Sequence, residues 1–126
     1  MHGVLNDQSM IYLQIARMLE DDILRGIYQE GEQVPSTNEL ARSYNINPAT
    51  AAKGINLLVA DGILYKKRGI GMFVAPGAGE TVRQKRKDAF YDGFVKPLVK
   101  EGSSLSLTRE ELLAMVTRAI EEGEQK

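Results

Sequence analysis

The chain has no cysteine, no tryptophan and a single histidine in 126 residues. Without cysteine there is no disulfide, no thiolate metal site and no Cys nucleophile. The histidine, His2, stands in a terminus read as disordered, where it makes neither a credible metal ligand nor a general base. Apolar runs are short, far below the roughly 20 residues that cross a bilayer, and the opening MHGVLNDQ lacks the basic start and apolar stretch of a secretory signal. A cytoplasmic location with no membrane partner is expected. The carboxylates follow helix faces and caps, with no pair set apart for acid–base work. No enzyme activity, cofactor or metal is therefore expected.

A strong charge of one sign is missing as well, because the net charge is −1, whereas nucleic-acid binders often carry a basic surface. The average conceals an asymmetry. Residues 1–35 carry a net −4, residues 36–75 a net +3, and residues 76–126 balance. The positive segment is also the one with the clearest local architecture.

A first helix is predicted from Met10 to Arg25, where Ile11, Ile15, Leu19 and Ile23 recur at four-residue spacing, with Gly26 ending it. After the turn-rich YQEGEQVP, Ser36 opens a second helix with Glu39 three residues on, the pattern in which each side chain satisfies a free backbone N–H of the other. That helix ends near Ser43 or Tyr44. Asn47 followed by Pro48 marks a third helix start, since Asn caps and Pro at the first position lacks only a donor that would be unpaired. It runs to about Ala60 before Gly62. Ala51, Gly54, Ile55 and Leu58 fall inward, leaving Ala49, Ala52, Lys53 and Asn56 outward. A face of small residues with one Lys and one Asn can approach a groove closely.

Next comes a hairpin, ILYKK and IGMFV around Arg68 and Gly69, with inward residues drawn from Ile63, Tyr65, Met72 and Val74 by alternation. Its turn needs glycine at positive φ and follows three cations, Lys66, Lys67 and Arg68. Pro76, Gly77 and Gly79 mark a boundary, giving a DNA-binding domain over 1–76 and a helical tail over 77–126. Within the tail two amphipathic helices are expected, Glu80–Lys100 and Thr108–Glu122, the first kinked or ended at Pro97 and the second opened by Thr108 with Glu111. Helices with no sheet to cover need a partner surface, so the tail is expected to form a homodimer. The fold class is mostly α with a small β-hairpin wing: an N-terminal winged helix-turn-helix and a short two-helix dimerisation tail.

Pro35-Ser36, Leu40-Ala41, Asn47-Pro48, Thr50, Leu58, Gly62-Ile63-Leu64, Gly69-Ile70-Gly71 and Phe73-Val74, taken together, resemble the winged helix-turn-helix signature of GntR-family bacterial transcription regulators. The resemblance runs over residues 10–75 and includes the first helix. The NPATAAK start of helix three and the tail of about fifty residues resemble the YtrA-like branch, and the resemblance implies a dimeric repressor, often of a transporter operon, bound to double-stranded DNA. Where many members carry Arg the chain has Ala52, and Lys53 matches the YtrA-like pattern instead. Asn38 stands where some relatives have Arg.

The candidate DNA contacts are Ser36, Thr37 and Asn38 at the second helix, Asn47, Pro48, Ala49, Thr50, Lys53 and Asn56 on the third, and Lys67, Arg68 and Gly69 on the wing. Thr50 either donates to a phosphate or bonds back within its own helix. Gly69-Ile70-Gly71 lies inside a hairpin rather than between strand and helix, against a nucleotide-loop reading. RQKRK at 83–87 reads as a solvated helix face. The alternative function is a winged-helix protein-interaction module without DNA readout. An effector is unidentified, and the tail looks too short to enclose a roomy pocket within one subunit.

Overall fold

The computed structural model describes residues 8–125; residues 1–7, His2 among them, and Lys126 lie outside the described residues. The elements in order are α1 (Gln8–Leu24), α2 (Thr37–Tyr44), α3 (Pro48–Ala60), β1 (Leu64–Lys67), β2 (Gly71–Val74), α4 (Ala78–Phe90), a π-helical turn (Tyr91–Val95), α5 (Lys96–Ser104) and α6 (Arg109–Glu124). The chain divides into two compact units, residues 1–85 and 86–126.

In the first unit, α1, α2, α3 and the hairpin close one core. Ile15, Leu19 and Ile23 of α1 meet Leu40 and Ala41 of α2, Ala51, Ile55 and Leu58 of α3, and Ile63, Leu64 and Val74 around the hairpin, all buried. Each fully buried Leu or Ile contributes on the order of 2 kcal/mol from the area removed from water. The approach of α3 to α1 is close because Gly54 has no side chain. A Cβ there would lie 2.8 Å from the Tyr12 carbonyl oxygen and 3.1 Å from Ile15 Cγ2.

Helix ends follow the local chemistry expected of them. Gly26, at φ +78, closes α1, with the Ile27 N–H bonded to the Asp22 carbonyl at 2.9 Å. Asn45 takes the left-handed conformation, φ 52, after α2 and donates its backbone N–H to Ala41 O. Asn is the side chain that tolerates this position when glycine is absent.

Strands β1 and β2 pair antiparallel, Leu64 opposite Val74 and Tyr65 opposite Phe73. Leu64 is therefore the inward residue of β1 and Tyr65 is turned to the other face, against expectation, whereas Val74 is buried and Met72 packs on the core as expected. The Tyr65 and Phe73 rings stack there, centroids 5.9 Å apart. Ile63, although adjacent to Leu64, is also buried, because it precedes the strand and escapes its alternation. A third extended segment flanks β2: Gly31 N–H bonds to Val74 O, Val74 N–H to Glu32 O, and Val34 N–H to Met72 O, at 2.8–3.0 Å.

Ala78 and Val82 are fully buried in the first unit's core, so that unit extends beyond Pro76 into α4. The basic run at 83–87 is not uniformly solvated. Lys85 is drawn onto Glu20 and Asp61, while Arg83 and Glu80 form only an exposed pair at 3.9 Å.

Pro97 neither ends nor breaks the helical path from Ala78 to Ser104. Proline cannot donate to the carbonyl four residues back and its ring crowds that oxygen. The turn before it widens, and the Lys96 N–H bonds five residues back to Tyr91 O. In the second unit α5 and α6 meet where Gly102 faces Leu112; a Cβ on Gly102 would lie 3.3 Å from Leu112 Cδ2. Thr108 and Glu111 form the expected reciprocal cap on α6.

Candidate nucleic-acid interface

Two helix N-termini and one hairpin tip carry the candidate contacts. At α2, the Ser36 hydroxyl accepts from Glu39 N–H at 3.1 Å and the Glu39 carboxylate accepts from Ser36 N–H at 2.8 Å. Hydrogen bonding to the carboxylate by the Ser36 backbone N–H first, and by the Ser36 hydroxyl second, holds the Glu39 carboxyl below its ordinary pKa. With two end donors satisfied internally, the remaining N–H groups and the positive end of the helix are left to an anion. Ser36 and Asn38 are exposed and Thr37 is half-buried.

At α3, the Asn47 side chain accepts from Ala49 N–H at 2.7 Å, and Pro48 occupies the first turn. The outward face is as expected: Ala49, Lys53 and Asn56 are exposed and Ala52 half-buried, while Ala51, Gly54, Ile55 and Leu58 are buried. Thr50, which is not among the residues expected on that outward face, is 6% exposed and lies beside the buried Ala51.

Lys53 does not project freely. Its ammonium rests 4.3 Å from the centre of the Tyr12 ring on α1, an attraction to the negative ring face worth about 0.5–1 kcal/mol at exposed sites. The wing repeats the device, with the Lys67 ammonium 4.4 Å from the Phe73 ring and 6.0 Å from that of Tyr65. Aromatic support for two of the candidate cations is a feature sequence reasoning missed. The alternation in the hairpin carried the signal for Phe73, but nothing local links Tyr12 to Lys53.

At the wing tip, Ile70 N–H bonds to Lys67 O at 2.9 Å and Gly69 takes φ +76. Arg68 stands at this turn, exposed. Gln33, in the segment flanking β2, donates its side-chain amide to the Ile70 carbonyl at 2.9 Å. Ten of the twelve candidate contacts are exposed, Thr37 is half-buried and Thr50 buried. Among the described residues no group of three or more His, Cys, Asp or Glu could hold a metal ion, and no helix is long and apolar enough to cross a membrane.

The pattern of the bacterial regulatory proteins of the gntR family matches residues 11–74, from α1 to the end of β2. The probable fructoselysine utilization operon transcriptional repressor of Escherichia coli (strain K12) is 45% identical over 65 residues, covering 52% of this chain and 27% of that protein. The HTH-type transcriptional repressor YtrA of Bacillus subtilis (strain 168) is 35% identical over 72 residues, 57% of this chain and 55% of that protein. The chain thus spans about a quarter of the first relative and about half of the second. Similarity to a crystal structure named for a transcriptional regulator of GntR family from Bacteroides thetaiotaomicron extends through most of the length: TM-score 0.74 at 34% identity, covering 90% of this chain and 98% of that one. With its winged helix matched from first helix to last strand, the chain belongs to the GntR family of bacterial regulatory proteins.

Proposed function

We propose that the chain is a sequence-specific DNA-binding transcription regulator, a homodimeric repressor acting on an inverted-repeat operator. The observation that carries the reading is the outer face of α3, where Ala49, Ala52, Lys53 and Asn56 recur at helical spacing with no carboxylate among them. Such a helix fits the major groove: small side chains allow close approach, Asn pairs with the adenine edge and Lys with the guanine edge. Ser36, Thr37 and Asn38 at the start of α2, and Asn47, Pro48 and Ala49 at the start of α3, face flanking phosphates. Lys67, Arg68 and Gly69 bring the wing to the backbone, and such contacts position the protein without reading sequence. The relatives named as transcriptional repressors support the direction of control. The resemblance to the YtrA-like branch supports a transporter operon as its target.

The tail supports the dimer. Among the described residues of the second unit only Gly102 is buried, while Phe90, Phe94, Leu98, Leu105, Leu113 and Ile120 are exposed. Apolar helix faces left open to this extent require a covering surface, and a second copy offers the matching one. Two-fold symmetry then sets the half-sites about one helical turn, roughly 10 bp, or a multiple apart.

The experiment is selection of bound sequences from random duplex pools at moderate salt. Enrichment of an inverted repeat is the expected result. A folded chain that enriches nothing, and shows no salt-dependent binding to mixed-sequence duplex at low salt, overturns the reading in favour of a protein-interaction module.

A further inference from the structure

Gln33 and Gly71 meet where the segment before α2 crosses the wing. Gln33 pairs with Phe73 across an isolated bridge, and its side chain extends along the hairpin to give its amide N–H to the Ile70 carbonyl at 2.9 Å. That carbonyl belongs to the loop between Lys67 and Gly71, the loop that also holds Arg68 and Gly69. In the position it occupies the amide lies over a residue with no side chain, Gly71. A Cβ on Gly71 would crowd the Gln33 amide nitrogen and push that side chain aside, and Gly71 has φ +146, a backbone state that other residues rarely adopt.

The same short segment reaches α2. Val34 is buried and its N–H is bonded to Met72 O, and two residues later Ser36 caps α2. Gln33 is thus covalently close to the α2 N-terminus and hydrogen-bonded to the wing loop. Without its side chain, the loop beyond Lys67 and Gly71 keeps only its own turn bond, Ile70 N–H to Lys67 O. The strands are held by the core and by the flanking segment, whereas the tip extends past them, so it needs a tie of its own to hold one position.

We infer that Gln33 is a positioning residue for DNA binding, which through its bond to the Ile70 carbonyl over the side-chain-free Gly71 fixes the wing tip, with Arg68, relative to the start of α2. The inference rests on the proposed DNA-binding function and deepens it. Gln33 touches no base or phosphate in this scheme; it acts through Arg68.

The test uses the full chain as Gln33→Ala and Gln33→Asn, the latter keeping the amide on a side chain too short to reach. Gln33 is exposed, so both variants fold. Binding is measured across salt on mixed-sequence duplex and on the duplex recovered by selection. Loss of one net hydrogen bond predicts about fivefold weaker binding for both variants. A wing that no longer keeps Arg68 at a phosphate lowers the salt slope by about 0.9. Arg68→Ala then costs little more in the Gln33→Ala background, whereas Lys53→Ala costs the same in either background. Amide relaxation without DNA is expected to show Arg68 and Gly69 more mobile in both variants. Unchanged relaxation, or Gln33→Ala and Arg68→Ala losses that multiply in full, overturns the inference. A wild-type chain that binds no duplex overturns the underlying function instead, and the DNA-free relaxation distinguishes that failure from failure of the tie.

Discussion

The Lys85 ammonium lies 2.6 Å from the Glu20 carboxylate, a side chain only 5% exposed, and 2.7 Å from that of Asp61. Desolvation works to lower the Lys85 pKa, but the hydrogen bonds and charges of Asp61 and Glu20 outweigh it, and the net pKa is raised above 10.5. Removing one member of a buried pair takes from the other part of what compensates its charge, at a cost of up to roughly 3–5 kcal/mol. Lys85 is itself 37% exposed, so water screens part of this, and Lys85→Met is expected to lose about 2 kcal/mol in urea unfolding. Glu20→Gln in the same chain should recover part of the loss. Because the folded pKa is the higher one, the Lys85 contribution is fully present below the unfolded value of about 10.4 and fades as pH rises through the folded value. From neutrality upward, wild type and Lys85→Met should therefore converge only in strong alkali. A gap that closes on acidification from neutrality to pH about 6 would contradict the assignment to Lys85.

Gly54→Ala gives a sign that distinguishes packing from propensity. In an open helix interior the change stabilises by about 0.5–1 kcal/mol. Here the new methyl would stand 2.8 Å from a backbone oxygen, that of Tyr12, which cannot swing aside as a side chain can. Overpacking of this kind costs about 1–3 kcal/mol, so the clash wins and the melting temperature should fall. A rise would mean that α1 and α3 separate freely.

Elements governed by chemistry within four residues were legible in the sequence. Ser36 with Glu39, Asn47 with Pro48, and Thr108 with Glu111 announce helix starts, and all three caps form. The outer face of α3 followed from spacing alone. Features joined by tertiary approach were not legible: Glu20 and Lys85 are 65 residues apart, and Gln33 is 37 from Ile70. The facing of Tyr65 is not legible because the buried Ile63 precedes β1, and a residue outside the ladder cannot set the phase of its alternation. The π-helical turn escaped because Pro97 signals strain without saying how the preceding turn relieves it.

Ser36→Ala removes the side-chain half of the α2 cap and is expected to cost about 1 kcal/mol of stability. Duplex affinity should fall with it, since the first turn of α2 is then less ordered. The other half of the cap titrates. Bonds from Ser36, backbone first and hydroxyl second, lower the Glu39 pKa, so its contribution is present above the unfolded value of about 4.3 and is lost as pH falls through the folded one. The stability gap between wild type and Glu39→Gln should be constant at neutral pH and vanish in acid. A constant gap down to strong acid would refute the ionised cap.

Phe94 is 67% exposed and its ring lies 5.5 Å from that of Phe90. If this face is where two copies meet, Phe94→Asp places a charge in the covered surface and should yield a monomer by sedimentation. The monomer should unfold at nearly the wild-type denaturant concentration when that is measured on the winged-helix unit, because the substituted side chain packs in no core of its own chain. Operator affinity should drop by far more than a single lost contact explains, since paired half-sites act as linked binding events. An unchanged dimer mass would remove this face from the interface.

Lys53 offers the most direct test of α3, because its charge and its support can be varied separately. Lys53→Ala removes a cation from the outer face; if that cation meets a phosphate, the slope of log affinity against log salt should fall by about 0.9. Tyr12→Leu leaves the cation in place and removes only the ring beneath it, 4.3 Å from the ammonium. The slope should then hold while affinity falls about two- to fivefold, the equivalent of about 0.5–1 kcal/mol. Tyr12→Phe retains a ring face and should bind like wild type. The opposite result has a clear meaning too: tighter binding by Tyr12→Leu would show that the ring competes with DNA for the ammonium instead of presenting it.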